Sequence, residues 1–73
     1  MSNTFSVILR LAQKGLLDNE KGFRVIDVIK AQKELRVSTV ITFLPKHAKT
    51  SRIYFERINN MSGLYRIRNE YYR

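Results

Sequence analysis

The side chains with chemistry to offer gather after residue 37. Ser38, Thr39 and Thr42 supply hydroxyl groups; Lys46, His47, Lys49 and Arg52 follow them, and Arg57, Arg66 and Arg68 come later in the chain. Small hydroxyls approach a base edge or a phosphate with little steric demand, while Lys and Arg hold phosphate oxygens by charge-assisted hydrogen bonds. Hydroxyls followed by cations therefore suit recognition of a polyanion; the plainer reading is an exposed helix face and a solvated basic loop. His47 is the single histidine, and His is the side chain that ordinarily titrates near neutrality. Alone in a basic stretch it reads as a surface or phosphate contact, not a catalyst. Cysteine is absent, which excludes disulfides and thiolate metal sites, and one histidine cannot hold zinc. No carboxylate pair has nuclease-like spacing, and there is neither a Gly-rich phosphate loop nor a Ser/His/Asp set. Asp27 and Glu34, two turns apart on one expected helix, read as solubilising. Neither an enzyme nor a cofactor nor a metal is expected.

The charge balance points the same way. The 73 residues carry 14 Lys and Arg against 6 Asp and Glu, a net charge of +8. Residues 1–45 hold seven bases and four acids, a net +3, and residues 46–73 hold seven bases and two acids, a net +5 in a shorter stretch. Such a field attracts polyanions and gains affinity by releasing their counterions, so nucleic acid is the first partner to expect. A membrane surface and an acidic protein come next, and plain solubility is the bland alternative. The 44% hydrophobic content suits a folded globule, not a disordered tail. No apolar run nears the ~20 residues that span a bilayer. The start MSNTFSVILRLAQKG puts no basic cluster before its apolar stretch. A soluble, cytoplasmic, nucleoid-associated location is expected.

Elements that would position these residues follow from periodicity. Phe5, Ile8, Leu9 and Ala12 share one helix face over about Asn3–Lys14, with Asn3 or Thr4 as N-cap and Gly15 as the stop. Leu16 and Leu17 are expected to fold back on the core, and residues 18–22 to form a polar loop. Val25–Glu34 reads as a second helix. Its β-branched start could be a strand, but the apolar spacing is not period 2 and Ala31-Gln32-Lys33-Glu34 forms helix well. Val37–Leu44 reads as a third helix, N-capped by Ser38, with Val40, Ile41 and Leu44 inward and Thr39, Thr42 and Phe43 outward. Pro45 should end or bend it and open a basic turn over residues 46–52. Arg52–Ile58 and Leu64–Arg68 then read as strands joined at Asn59–Gly63. With Tyr65 and Ile67 inward, Arg66 and Arg68 face outward, either toward a polyanion or toward Glu56 across the strands.

Three short helices before a C-terminal β-hairpin wing is the order of a winged helix-turn-helix domain, an α+β fold filling residues 1–73, with residues 69–73 expected as a loose tail. The segments Ser38-Thr39-Val40-Ile41-Thr42, Lys46-His47-Ala48-Lys49-Thr50, Tyr54-Phe55-Glu56-Arg57-Ile58 and Gly63-Leu64-Tyr65-Arg66-Ile67 resemble a family of small winged-helix domains. Members occur alone or attached to restriction-endonuclease-like proteins. The family closes on an aromatic–Glu–Arg–aliphatic strand, a short turn and Gly-Leu-Tyr-Arg-aliphatic. The match covers about residues 36–68, with a longer turn here at Asn59–Ser62. The resemblance implies contact with double-stranded DNA by the third helix and the wing.

The expected function is sequence-specific or semi-specific binding of double-stranded DNA, as a transcriptional regulator of a phage or mobile element. The expected DNA-binding residues are Ser38, Thr39, Thr42, Lys46, His47, Lys49, Arg52, Arg57, Arg66 and Arg68. The alternative is a winged-helix adaptor that docks on an acidic surface of a host protein. A third reading stacks single-stranded bases or RNA on Tyr54, Phe55, Tyr65, Tyr71 and Tyr72, against which those rings would simply fill the core. Tyr71 and Tyr72 are also a candidate homodimer contact. Neither a membrane nor a small-molecule substrate is expected.

Overall fold

Phe5, Ile8, Leu11 and Ala12 fall at helical spacing and are buried together, and this gives α1 (Asn3–Gln13) its single inward side in the computed structural model. The structure describes residues 3–49, 53–60 and 63–72. The helix closes with Gly15 N–H donating to Ala12 O and Leu16 N–H to Leu11 O, the paired bonds of a Schellman motif. Leu17 turns into the core, whereas Leu16, expected beside it, is 58% exposed. In the loop that follows, the Asp18 carboxylate accepts the N–H groups of Glu20 and Lys21, each at 2.9 Å.

Phe23 does not open a helix. Its backbone pairs with Tyr65 in both directions, at 2.7 and 2.9 Å. Gly22 must therefore pass close to the hairpin. Its φ is +99°, and a Cβ there would lie 2.4 Å from Ile58 Cδ1 and 3.1 Å from Tyr65 O. The second helix, α2 (Val25–Ala31), is shorter than Val25–Glu34 because Gln32 is extended. Asp27 is more than solubilising: its carboxylate accepts the Arg24 N–H at 2.9 Å and caps the helix start.

The third helix, α3 (Val37–Lys49), begins and ends differently from expectation. Val40 N–H donates to Arg36 O, so Ser38 sits inside the first turn and is not the N-cap. Pro45 lies within the helix and does not end it. Proline removes only the bond to Ile41 O, and the turn beyond it is held because Ala48 packs against the core. Val40 and Leu44 are fully buried, whereas Ile41, expected inward, is 52% exposed. One residue turns a helix by about 100°, so the Val40–Leu44 line leaves Ile41 at the edge of the solvent side.

Strands β1 (Phe55–Arg57) and β2 (Tyr65–Ile67) pair antiparallel, with Phe55 opposite Ile67, Glu56 opposite Arg66 and Arg57 opposite Tyr65. The connection uses a 3-10 turn over Ile58–Asn60, with Asn59 at φ +53° and Gly63 at φ +85°. Met61 and Ser62 of the expected loop lie outside the described residues. The Asn19 carboxamide grips β2 from the other side: Ile67 N–H donates to Oδ1 at 2.7 Å and Nδ2 donates to Ile67 O at 3.2 Å. The order of three helices and then a two-stranded antiparallel hairpin is an α+β layout that fits a winged-helix arrangement.

Rings dominate the core. Phe5 stacks on Tyr54 at 4.0 Å between centroids and meets Phe55 and Tyr71 edge-on, each at 5.9 Å. Tyr54, Phe55 and Tyr65 are buried, so these rings fill the space between hairpin and helices and present no face for a base. The tail is docked as well. Tyr71 is half-buried against the core, and the Tyr72 hydroxyl donates to Ala12 O at 3.4 Å.

Candidate nucleic-acid interface

Burial of Val40 and Leu44 fixes which side of α3 faces solvent. Ser38, Thr39, Thr42 and Lys46 are exposed, and together with Phe43 and His47 they line one shallow groove. Five of the expected site residues are therefore neighbours on a single surface. Thr42 Oγ1 donates to Ser38 O at 3.0 Å, which uses its hydroxyl hydrogen within the helix and leaves the oxygen as an acceptor. Phe43, expected outward, is half-buried instead, with its ring 5.8 Å from Phe55. His47 rests on it, 4.4 Å between centroids, and lies 5.2 Å from Tyr54. The imidazole is thus held against the aromatic core at the floor of the groove.

Lys46, His47 and Lys49 belong to the last turns of α3, not to a turn beyond it. There they also meet the partial negative charge of the helix C-terminus, which stabilises the helix whether or not a ligand binds. No Asp or Glu occurs anywhere in Val37–Lys49. Lys49 is exposed and does not line the groove. Arg52 lies outside the described residues.

The hairpin arginines are placed differently from one another. Arg57 is exposed on β1. Arg66 Nε donates to Glu56 across the strands at 2.5 Å, the partner the register implies. Arg66 also borders a second cavity, shared with Asp18, Asn19, Glu20 and Asn69. Arg68 Nε donates to Glu70 at 2.8 Å. Tyr65 and Ile67 do point inward, so the outward parity of Arg66 holds, but carboxylates meet both guanidinium groups on that side. The structure brings the α3 residues together and leaves Arg66 and Arg68 outside their groove.

Asp18 is held below the usual carboxylate range, chiefly by the Lys21 backbone N–H it accepts; desolvation opposes this next, and the Glu20 N–H and the nearby Lys21 charge add to the lowering. It belongs to the loop before α2, far in sequence from α3. Among the described residues no group of three or more His, Cys, Asp or Glu could hold a metal ion. No helix among them is long and apolar enough to cross a membrane.

Val37 and Ile41 of α3 are exposed as well, at 50% and 52%, and neither lines the groove. Four residues apart, they share one edge of the helix. Comparison of the chain with protein-family models, with curated proteins and with solved structures gives no match.

Proposed function

We propose that the protein binds double-stranded DNA through α3 and regulates transcription, as a factor of a phage or mobile element. One observation carries the reading: Ser38, Thr39 and Thr42 share a groove with Lys46 and His47, on a helix that contains no carboxylate. The N-terminal turns of α3 would face base edges in the major groove, while Lys46 and Lys49 hold phosphates at its other end. Arg57, exposed at the end of β1 beside the turn of the wing, would reach the flanking backbone. Arg66 and Arg68 must first leave Glu56 and Glu70, so they are secondary contacts. The net charge of +8 supports the reading, as does the resemblance of residues 36–68 to small winged-helix domains.

The test is fluorescence anisotropy of a labelled random duplex, titrated at several salt concentrations. Three phosphate contacts from Lys46, Lys49 and Arg57 give a slope of log affinity against log salt of about −2.7. Absence of binding at low salt would refute the reading. The adaptor reading has its own support in Ile26, Val37 and Ile41, each at least half exposed on α2 and α3. It gains if duplex DNA fails to bind and an acidic protein surface binds instead.

A further inference from the structure

The proposed DNA contact leaves open which bases α3 would prefer, and its composition narrows the choice. Guanine is read mainly by Arg or Lys, adenine by Asn or Gln, cytosine by Asp or Glu, and the thymine C5-methyl by apolar contact. Val37–Lys49 contains no Arg, Asn, Gln, Asp or Glu. Its two lysines and its histidine lie at the C-terminal end, past Pro45. Toward the N-terminus, the part of a reading helix that meets base edges, the exposed side chains are Val37, Ser38, Thr39, Ile41 and Thr42. The Thr42 hydroxyl hydrogen is already given to Ser38 O. What this surface offers is the methyl groups of Val37, Thr39, Ile41 and Thr42, with a few hydroxyl oxygens. Val37 and Ile41 are half exposed although the adjacent Val40 is fully buried, so the apolar surface is turned away from the protein's own core.

We infer that α3 reads thymine methyl groups, and that the preferred ligand is a duplex presenting clustered thymine methyls in its major groove. The inference rests on the DNA-binding reading. It commits to the DNA groove because the charge around this surface is complementary: Lys46 and Lys49 follow on the same helix and no acid interrupts it.

Replacing thymine by uracil deletes the methyl and keeps every Watson–Crick hydrogen bond, so it isolates the contact. The probes are an alternating d(AT) duplex and the same duplex with uracil for thymine, titrated by anisotropy at low salt. One buried methyl is worth about 0.8 kcal/mol, or about fourfold in affinity, so two contacts give about fifteenfold weaker binding to the uracil duplex. Ile41→Ala trims one of the two larger apolar side chains of this surface, Val37 being the other, without touching Val40 or Leu44. It should bring the ratio between the two duplexes toward one while both are still bound. Thr39→Ser, which keeps the hydroxyl and loses the methyl, should lower the ratio in the same direction. Equal binding of both duplexes by the unaltered protein would overturn the thymine inference and leave DNA binding standing. So would a ratio that Ile41→Ala leaves unchanged. No binding to either duplex would overturn the DNA-binding reading itself, and the inference with it.

Discussion

If α3 carries the DNA contact, two basic residues of equal formal charge should behave differently when removed. Lys46 borders the α3 groove, where no acid lies within the helix. Arg66 is bound to Glu56 and borders a cavity with Asp18 and Glu20. With Lys46, Lys49 and Arg57 as the phosphate contacts, a slope of about −2.7 means that raising salt from 50 to 200 mM weakens binding about fortyfold. Lys46→Ala removes one contact, so the slope falls to about −1.8 and the same step weakens binding only about twelvefold. Arg66→Ala should leave the slope near −2.7, because Arg66 lies outside the α3 groove. Both positions are solvent-accessible, and an exposed ion pair contributes about 0.2–1 kcal/mol, so both variants should fold. Anisotropy with one labelled duplex over four salt concentrations, with circular dichroism to confirm folding, resolves the two slopes. An Arg66→Ala slope as shallow as that of Lys46→Ala would refute the placement of the interface on α3, and would move the wing into the first rank of contacts.

Further outcomes concern the frame that holds α3. Gly22→Ala should destabilise by about 1–3 kcal/mol, since it combines a left-handed φ with a clash against Ile58 and the hairpin backbone; urea unfolding followed by circular dichroism would show an unchanged midpoint if the close approach were absent. Asn19→Ala should cost about 1–3 kcal/mol for the two part-buried bonds to Ile67, and thermal unfolding would register this as a loss of several degrees. Asp18 has a lowered folded-state pKa, so its contribution is present above the unfolded value of about 3.9 and is lost as pH falls through the folded value. Asp18→Asn should flatten that segment of the stability–pH curve below about pH 4, and an identical curve in the variant would count against the loop bonds.

Much of the fold was legible because its determinants are local and periodic. Phe5, Ile8 and Ala12 mark α1 by spacing alone, and the alternation of Tyr65 and Ile67 gives the parity of β2. Harder to read were features set by one long-range contact. The pairing of Phe23 with Tyr65 joins residues 42 apart through a single bridge, and no run of alternating residues announces it. Pro45 misled because proline is a reliable helix breaker only where nothing beyond it packs, and here Ala48 does. Ser38 has N-cap chemistry, but the first intrahelical bond already goes to Arg36. As for the site, Thr39 and Thr42 were legible as outward residues from the helical period. The partner of Arg66 depended on strand register, which places Glu56 opposite it and which sequence leaves open by one residue. Ile41 was misassigned for the related reason that a helix side has an edge, and the core line of Val40 and Leu44 decides on which side of that edge a neighbour falls.

The grip of Asn19 on Ile67 has a meaning beyond stability. A two-stranded hairpin has two outer edges, each a row of backbone donors and acceptors on which a strand of another molecule can add. On β2 the outward groups of Tyr65 are taken by Phe23, and those of Ile67 by the Asn19 carboxamide, whose N–H and C=O stand in for a peptide unit. That edge therefore offers no template for cross-chain strand addition. A single side-chain amide does there what a longer strand would otherwise have to do, and it closes the β2 edge of a small, ring-rich hairpin to strands of other copies.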